Sequence, residues 1–281
     1  MNPPKPATGF QIAFLAFAVI FLLAAFAPRI AAAIGWPVGN KGEMGRALTI
    51  LSGGIALVCI PALRRFSIAQ LKVALPSTKL LEISIVSLSK LALPFAISGA
   101  FVLWAMNVDD SFDFFRQLDL HESLSEIQSS SPPWMQFIYF AMAWVFAPIV
   151  EELLFRGVLY RAWERQWGWI PSMLLTSILF GVGHPSHMTS SFIASVLFVC
   201  VLRRTGTLWG PIIVHGTFNF LVSFPPYLEL LFVKPKAEAA ILSNWTFEFA
   251  CLAFVIVALP TYIWAARGPR QPASMGTHVS T

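Results

Sequence analysis

Two adjacent carboxylates, Glu151 and Glu152, end the apolar run FAMAWVFAPIV, and Arg156 follows four residues after Glu152. Carboxylates in such a position are costly unless paired or wet. On a helix, Glu152 and Arg156 stand four apart and pair in the favourable order. Glu151 points about 100° away from Glu152 and lacks that match. One glutamate therefore has a local structural partner, and the other is left for chemistry. His184 closes the apolar stretch FGVGH at 180–184. His215 and Asn219 are four apart and share one helix face. A carboxylate, two imidazoles and an amide are what peptide hydrolysis needs. The carboxylate takes a proton from water, an imidazole helps to hold that water, and the remaining donors face the oxyanion. Glu and His also ligate zinc. No HExxH occurs and these segments carry no cysteine, so water activation by glutamate without metal is preferred.

These residues need helices that bring them to one depth. If the helix bearing Glu151 runs on to Arg165, Glu151 lies about 21 Å along it, and His184 lies about 21 Å along the next helix from Ile170. Asn219 is about 22 Å past Arg204, and His215 about 16 Å. Pro148 cannot donate to the carbonyl of Trp144, which predicts a weak, kinked stretch beside Glu151. Pro185 ends the helix of His184, and His187 beyond it reads as an interfacial loop residue.

Composition says what surrounds those helices. Of 281 residues, 57% are hydrophobic and only 12% charged, which excludes disorder, a coiled coil and a disulfide scaffold. With a mean hydropathy of +0.70, the remaining class is a polytopic membrane protein. Eight apolar spans are read at 10–27, 47–63, 81–106, 134–150, 170–184, 190–202, 208–224 and 245–266. Several fall short of the ~20 residues that cross a bilayer, as expected of helices around a wet cavity. The first is read as a retained helix rather than a cleavable signal. The fold class is therefore all-α, with about eight transmembrane helices around an intramembrane cavity. Lys90 lies within the third span, where snorkelling or a structural use is expected and pairing with a carboxylate is the alternative.

Charge sets the orientation. One side collects Lys5, Arg64, Arg65, Lys72, Lys79, Arg156, Arg161, Arg165, Arg203, Arg204, Arg267 and Arg270. The other holds Arg29, Lys41, Arg46, Arg116, Lys234 and Lys236. The richer side is cytoplasmic by the positive-inside rule, and both termini lie there. The acidic segment 107–133 is then an external, solvated loop. The tail from 268 is polar and ends in no prenylation box. The net charge of +5 is absorbed by this asymmetry and calls for no nucleic acid.

EELLFR at 151–156, FGVGH at 180–184 and HGTFN at 215–219 resemble the EExxxR, FxxxH and HxxxN motifs of the CaaX protease and bacteriocin-processing (CPBP) family. That family includes the type II CaaX prenyl endopeptidases and proteins linked to bacteriocin self-immunity. The approach RRTGTLWGPIIV at 203–214 resembles the lead-in to the last motif. The resemblance covers roughly 134–224. It implies a protease core there, three helices and the acidic loop over 1–133, and a last helix and tail over 225–281, all in one integrated domain. It implies Glu151 as the base, His184 beside the water, His215 and Asn219 at the oxyanion, and Glu152 and Arg156 in support. No cofactor is required on this reading; the alternative is a divalent metal on Glu152, His184 and His215. The implied partners are the bilayer and a membrane-associated peptide or protein, lipidated substrates included. A bacterial chain would sit in the inner membrane. Two other functions compete. One is a non-catalytic membrane immunity or binding factor. The other is a transporter, disfavoured because the polar groups have no counterpart in the first half.

Overall fold

The computed structural model describes residues 50–51, 53–55, 57–93, 96–97, 100, 138, 140–184, 188–232 and 246–268. The span read at 10–27, the acidic segment, His187 and the polar tail lie outside the described residues. All regular structure among the described residues is helical. Helix α1 (Pro61–Leu71) leads through a 3-10 turn (Ser77–Lys79) into α2 (Leu80–Ser89). A rod then covers 142–167 in four stretches: π1 (Met142–Phe146), α3 (Ala147–Glu152), π2 (Leu153–Tyr160) and α4 (Arg161–Trp167). It is followed by α5 (Trp169–Val182), α6 (Met188–Thr205), α7 (Trp209–Phe232) and α8 (Thr246–Ala265).

Two spans read as continuous are broken. The stretch at 47–63 bends by 98° between Gly53–Cys59 and Leu63–Leu71. Pro61 forces this, because the residue before a proline is driven out of the α region. Ile60 is extended, at φ −83° and ψ 113°. The stretch at 81–106 tightens at Lys90, where Leu91 and Leu93 donate to the carbonyls of Leu88 and Lys90, three residues back. Among the described residues, Met188–Thr205 alone is long and apolar enough to cross a bilayer by itself, and the bent pair adds one more only if counted as a single span.

The rod passes Arg165, as its sequence predicts, and stops at Gly168. That residue takes φ +80°, where a side chain would be strained, and its N–H caps the carbonyl of Glu164 at 3.0 Å. Pro148 acts one register away from the expected place. In π1 each N–H reaches five residues back, and Ala147 donates to the carbonyl of Met142. The next bond of that ladder would run from residue 148 to Ala143. Proline has no N–H, so the carbonyl of Ala143 is left without its ladder donor.

The outer surface matches a lipid environment. Along α5, Ile170, Leu174, Ile178 and Val182 repeat every four residues and are 42–57% exposed. Its opposite face buries Ser172, Thr176 and Ser177. Ser172 and Thr176 satisfy their hydroxyls on the carbonyls of Gly168 and Ser172, both at 2.7 Å, so these two residues pack inward with their hydroxyls satisfied. A water-soluble bundle shows the reverse arrangement.

The turn from α6 to α7 is tied down on the same side as the ends of α1 and α8. Gly206 supplies a φ of +73°. The hydroxyl of Thr207 donates to the carbonyl of Val73 at 2.8 Å, and the indole of Trp209 to that of Leu71 at 2.9 Å. Arg203 donates to the carbonyls of Ala266 at 2.9 Å and Gly268 at 3.2 Å, and pairs with Glu164 at 2.8 Å. Arg204 donates to the carbonyl of Ala265 at 3.3 Å and pairs with Glu82, which also receives Lys79 and the hydroxyl of Tyr262.

Candidate active site

Glu151 and Glu152 close the short α stretch between the two π segments and face different neighbours. Glu152 is fully buried. One of its oxygens lies 3.2 Å from Arg156 Nε, and the other accepts from His215 Nδ1 at 2.9 Å. The pairing predicted between Glu152 and Arg156 is thus present. Arg156 is also fully buried; its Nη2 donates to Ser195 Oγ at 2.7 Å, and its guanidinium lies over the rings of Phe180 and Phe198. A planar, always-charged group stacked in this way rigidifies the carboxylate it holds.

Glu151 faces the two histidines. Its oxygens lie 4.0 Å from His184 Nε2 and 3.9 Å from His215 Nε2. It is partly open, with a side-chain exposure of 14%. His184 follows the end of α5, and its Nδ1 lies 2.7 Å from the carbonyl of Phe180. The helix stops at Val182, in accord with Pro185 close behind. Both imidazoles therefore have an acceptor at Nδ1, a carbonyl for His184 and a carboxylate for His215. In the neutral form each carries its proton on Nδ1 and turns the lone pair of Nε2 to Glu151. The ring of His215 is fixed further by stacking on Phe198, at 4.7 Å and 21°. A gap near 4 Å is too long for a hydrogen bond and suits one bridging water.

Asn219 lies one turn beyond His215 and is used structurally. Its Nδ2 donates to the carbonyl of Ala143 at 2.9 Å, the group that Pro148 cannot reach. Gly216 permits this approach, since a Cβ there would sit 3.0 Å from the carbonyl oxygen of Trp144. Trp144 and Phe220 pack at 4.7 Å beside the same contact.

Among the described residues, no group of three His, Cys, Asp or Glu side chains is arranged to hold a metal ion. Glu152 meets His215 at Nδ1, on the side of the ring away from Glu151. The set Glu152, His184 and His215 is therefore not gathered at one point.

Lys90 follows the end of α2, and of the uses expected for it the structural one fits. It does not snorkel: it is 4% exposed. Its Nζ lies 4.2 Å from the ring centre of Phe198 and 3.9 Å from that of Phe218.

Comparison with known proteins gives this geometry a context. Residues 133–221 match the family model described as type II CAAX prenyl endopeptidase Rce1-like. The UPF0177 protein YbdI of Lactococcus lactis subsp. lactis (strain IL1403) is 35% identical over 100 residues, 34% of this chain and 51% of that protein. A candidate membrane peptidase, YdiL of Bacillus subtilis (strain 168), is 23% identical over 153 residues, 50% of this chain and 61% of that protein. The chain thus spans between half and two thirds of the length of these curated relatives. No solved structure matches it. Glu151, Glu152, Arg156, His184, His215 and Asn219 all fall inside the segment, residues 133–221, that matches the Rce1-like family model.

Proposed function

We propose that the protein is an intramembrane endopeptidase that cleaves a membrane-associated protein or peptide through a water activated by Glu151. One observation carries the reading: Glu151 faces two imidazole nitrogens at 3.9–4.0 Å, and the other nitrogen of each ring is tied down. The carboxylate and His184 Nε2 are both acceptors. A water between them donates both of its hydrogens and keeps a lone pair for attack on a peptide carbonyl. Glu151 takes the proton, the carbonyl becomes a tetrahedral oxyanion, and the proton then passes to the leaving amine. His215 Nε2 faces that oxyanion and donates to it when the ring carries a second proton taken up from solvent before the attack, a charge that Glu152 offsets. The second N–H of the Asn219 amide is the other donor. The mechanism uses no metal.

The substrate class is a peptide or protein held at the membrane, lipidated tails included. The protein is integral to the membrane with both termini cytoplasmic, on about eight spans. The test is comparative proteomics of membrane peptides from cells with the wild-type protein and with Glu151→Gln. New peptide termini should appear with the wild-type protein alone. With purified protein, Glu151→Gln should lower cleavage by about 10²-fold or more at unchanged thermal stability. If Glu151→Gln cleaves normally, Glu151 is not the base; if the wild-type protein yields no new termini and cleaves no membrane peptide, the non-catalytic binding or immunity reading replaces this one.

A further inference from the structure

Helix α6 carries none of the residues expected to do chemistry, yet one face of it closes the back of the site. Ser195 and Phe198 are three apart on that helix and share a face. Both are fully buried. Ser195 meets Arg156: Nη2 of the guanidinium donates to the hydroxyl oxygen at 2.7 Å and to the main-chain carbonyl of the same residue at 3.4 Å. Phe198 meets the guanidinium, 4.9 Å from its ring centre, and the imidazole of His215, at 4.7 Å. Glu152 stands between these two groups, 3.2 Å from Arg156 Nε and 2.9 Å from His215 Nδ1. The contacts therefore run from Ser195 to Arg156, Glu152 and His215, and lead from α6 through the rod to α7.

The Ser195 contact gives this chain its direction. Among the described residues, Arg156 Nε and Nη1 have no hydrogen-bond partner, and the approach of Nε to Glu152 is a charge contact rather than an aligned hydrogen bond. Coulomb attraction holds two groups close but leaves a planar cation free to turn. A short hydrogen bond from a charged donor also fixes the angle. Ser195 differs in this from the other small polar residues of the bundle. Ser172 and Thr205 bond back four residues within their own stretch, at 2.7 and 2.8 Å, whereas Ser195 accepts across helices.

We propose that Ser195 is a positioning residue of this site: by fixing the guanidinium of Arg156 it sets the place of the Glu152 carboxylate, and with it the ring of His215 whose Nε2 faces Glu151. The proposal rests on the protease reading for its effect on turnover and on the contacts alone for its hold on Arg156. It makes α6 a working wall of the site rather than a membrane anchor beside it.

The experiment uses the full-length protein reconstituted in lipid, with Ser195→Ala, Ser195→Thr and Ser195→Val. Turnover and KM are measured on a membrane-embedded peptide, with thermal unfolding alongside. Ser195→Ala should lower kcat about 10-fold with KM within about twofold, as expected when a catalytic group is misplaced and substrate binding is untouched. Threonine and valine share a shape and differ in the hydroxyl, so any overpacking is common to both. Ser195→Thr should turn over about 10-fold faster than Ser195→Val. It should also have the higher Tm, because a buried hydroxyl without a partner would make valine the more stable of the two. Wild-type kcat in Ser195→Ala overturns the proposal, as does a loss confined to KM, or a threonine variant no faster than the valine one. If neither Ser195→Thr nor Ser195→Val folds, kcat and KM of Ser195→Ala decide by themselves. If the wild-type protein cleaves no membrane peptide, the protease reading has failed, and unfolding decides the hold on Arg156. Threonine above valine in Tm then supports it; valine at or above threonine, or a wild-type Tm in Ser195→Ala, overturns it.

Discussion

Glu151 and Glu152 are neighbours in the chain with different surroundings, and the difference comes from one helical turn. The arginine four residues on takes one carboxylate, and the other turns to the histidines. That division was legible in the sequence because it depends on spacing alone. Asn219 was legible only in part. Its face was predicted from its distance to His215, but its bond to Ala143 depends on a register shift that no spacing rule foretells. The consequence is a double role. Asn219→Ala should lower turnover about 10²–10³-fold through the lost oxyanion donor. It should also cost about 1–3 kcal/mol of stability through the unsatisfied carbonyl of Ala143. Parallel kinetics and thermal unfolding test this; full stability in Asn219→Ala would remove the structural half of the role. The structural use of Lys90 was expected, but its ring partners were not legible, because they lie more than a hundred residues away in the chain.

At the scale of elements, the active face depends on how closely α7 approaches π1. The approach is set by Gly216 on one side and by the carbonyls of Ala143 and Trp144 on the other. Gly216→Ala puts a methyl carbon about 3 Å from a carbonyl oxygen on another helix, where neither side is flexible. The expected cost is about 1–3 kcal/mol. The same shift should carry His215 away from Glu151, so turnover should fall further than stability alone accounts for. Cleavage assays well below the melting temperature separate the two effects, and wild-type turnover there would show that the approach is looser than drawn. Apolar runs predicted the helices themselves well. They missed the breaks at Ile60 and Lys90 and the wide turns of the rod, because hydropathy does not report backbone register.

At the scale of the molecule, composition was informative where periodicity was not. The membrane assignment follows from the excess of apolar residues, yet few described helices meet the length of a full span. Helix α5 has 14 residues, and its polar inner face displaces the leucines and valines that a simple anchor would carry. The basic asymmetry predicts an orientation, with the C-terminal end on the cytoplasmic side. A reporter fused after Thr281 should be active in the cytoplasm and silent outside, and activity outside only would reverse the topology.

The way α8 is fastened has a consequence for what the chain tolerates. Arg203 and Arg204 grip its end at the oxygens of Ala265, Ala266 and Gly268, all of them main-chain groups. Such groups are present whatever residue stands there, so the anchorage reads position and not identity. The end of α8 should accept changes of side chain that the two arginines would not. Limited proteolysis is the measure: Arg203→Ala should open cleavage within 246–265, while Ala265→Ser should leave that stretch as resistant as wild type. Equal sensitivity of both variants would mean that side-chain packing, not the arginine grip, holds the helix. A segment docked by its backbone keeps its place through changes of side chain, because what holds it is carried by every residue.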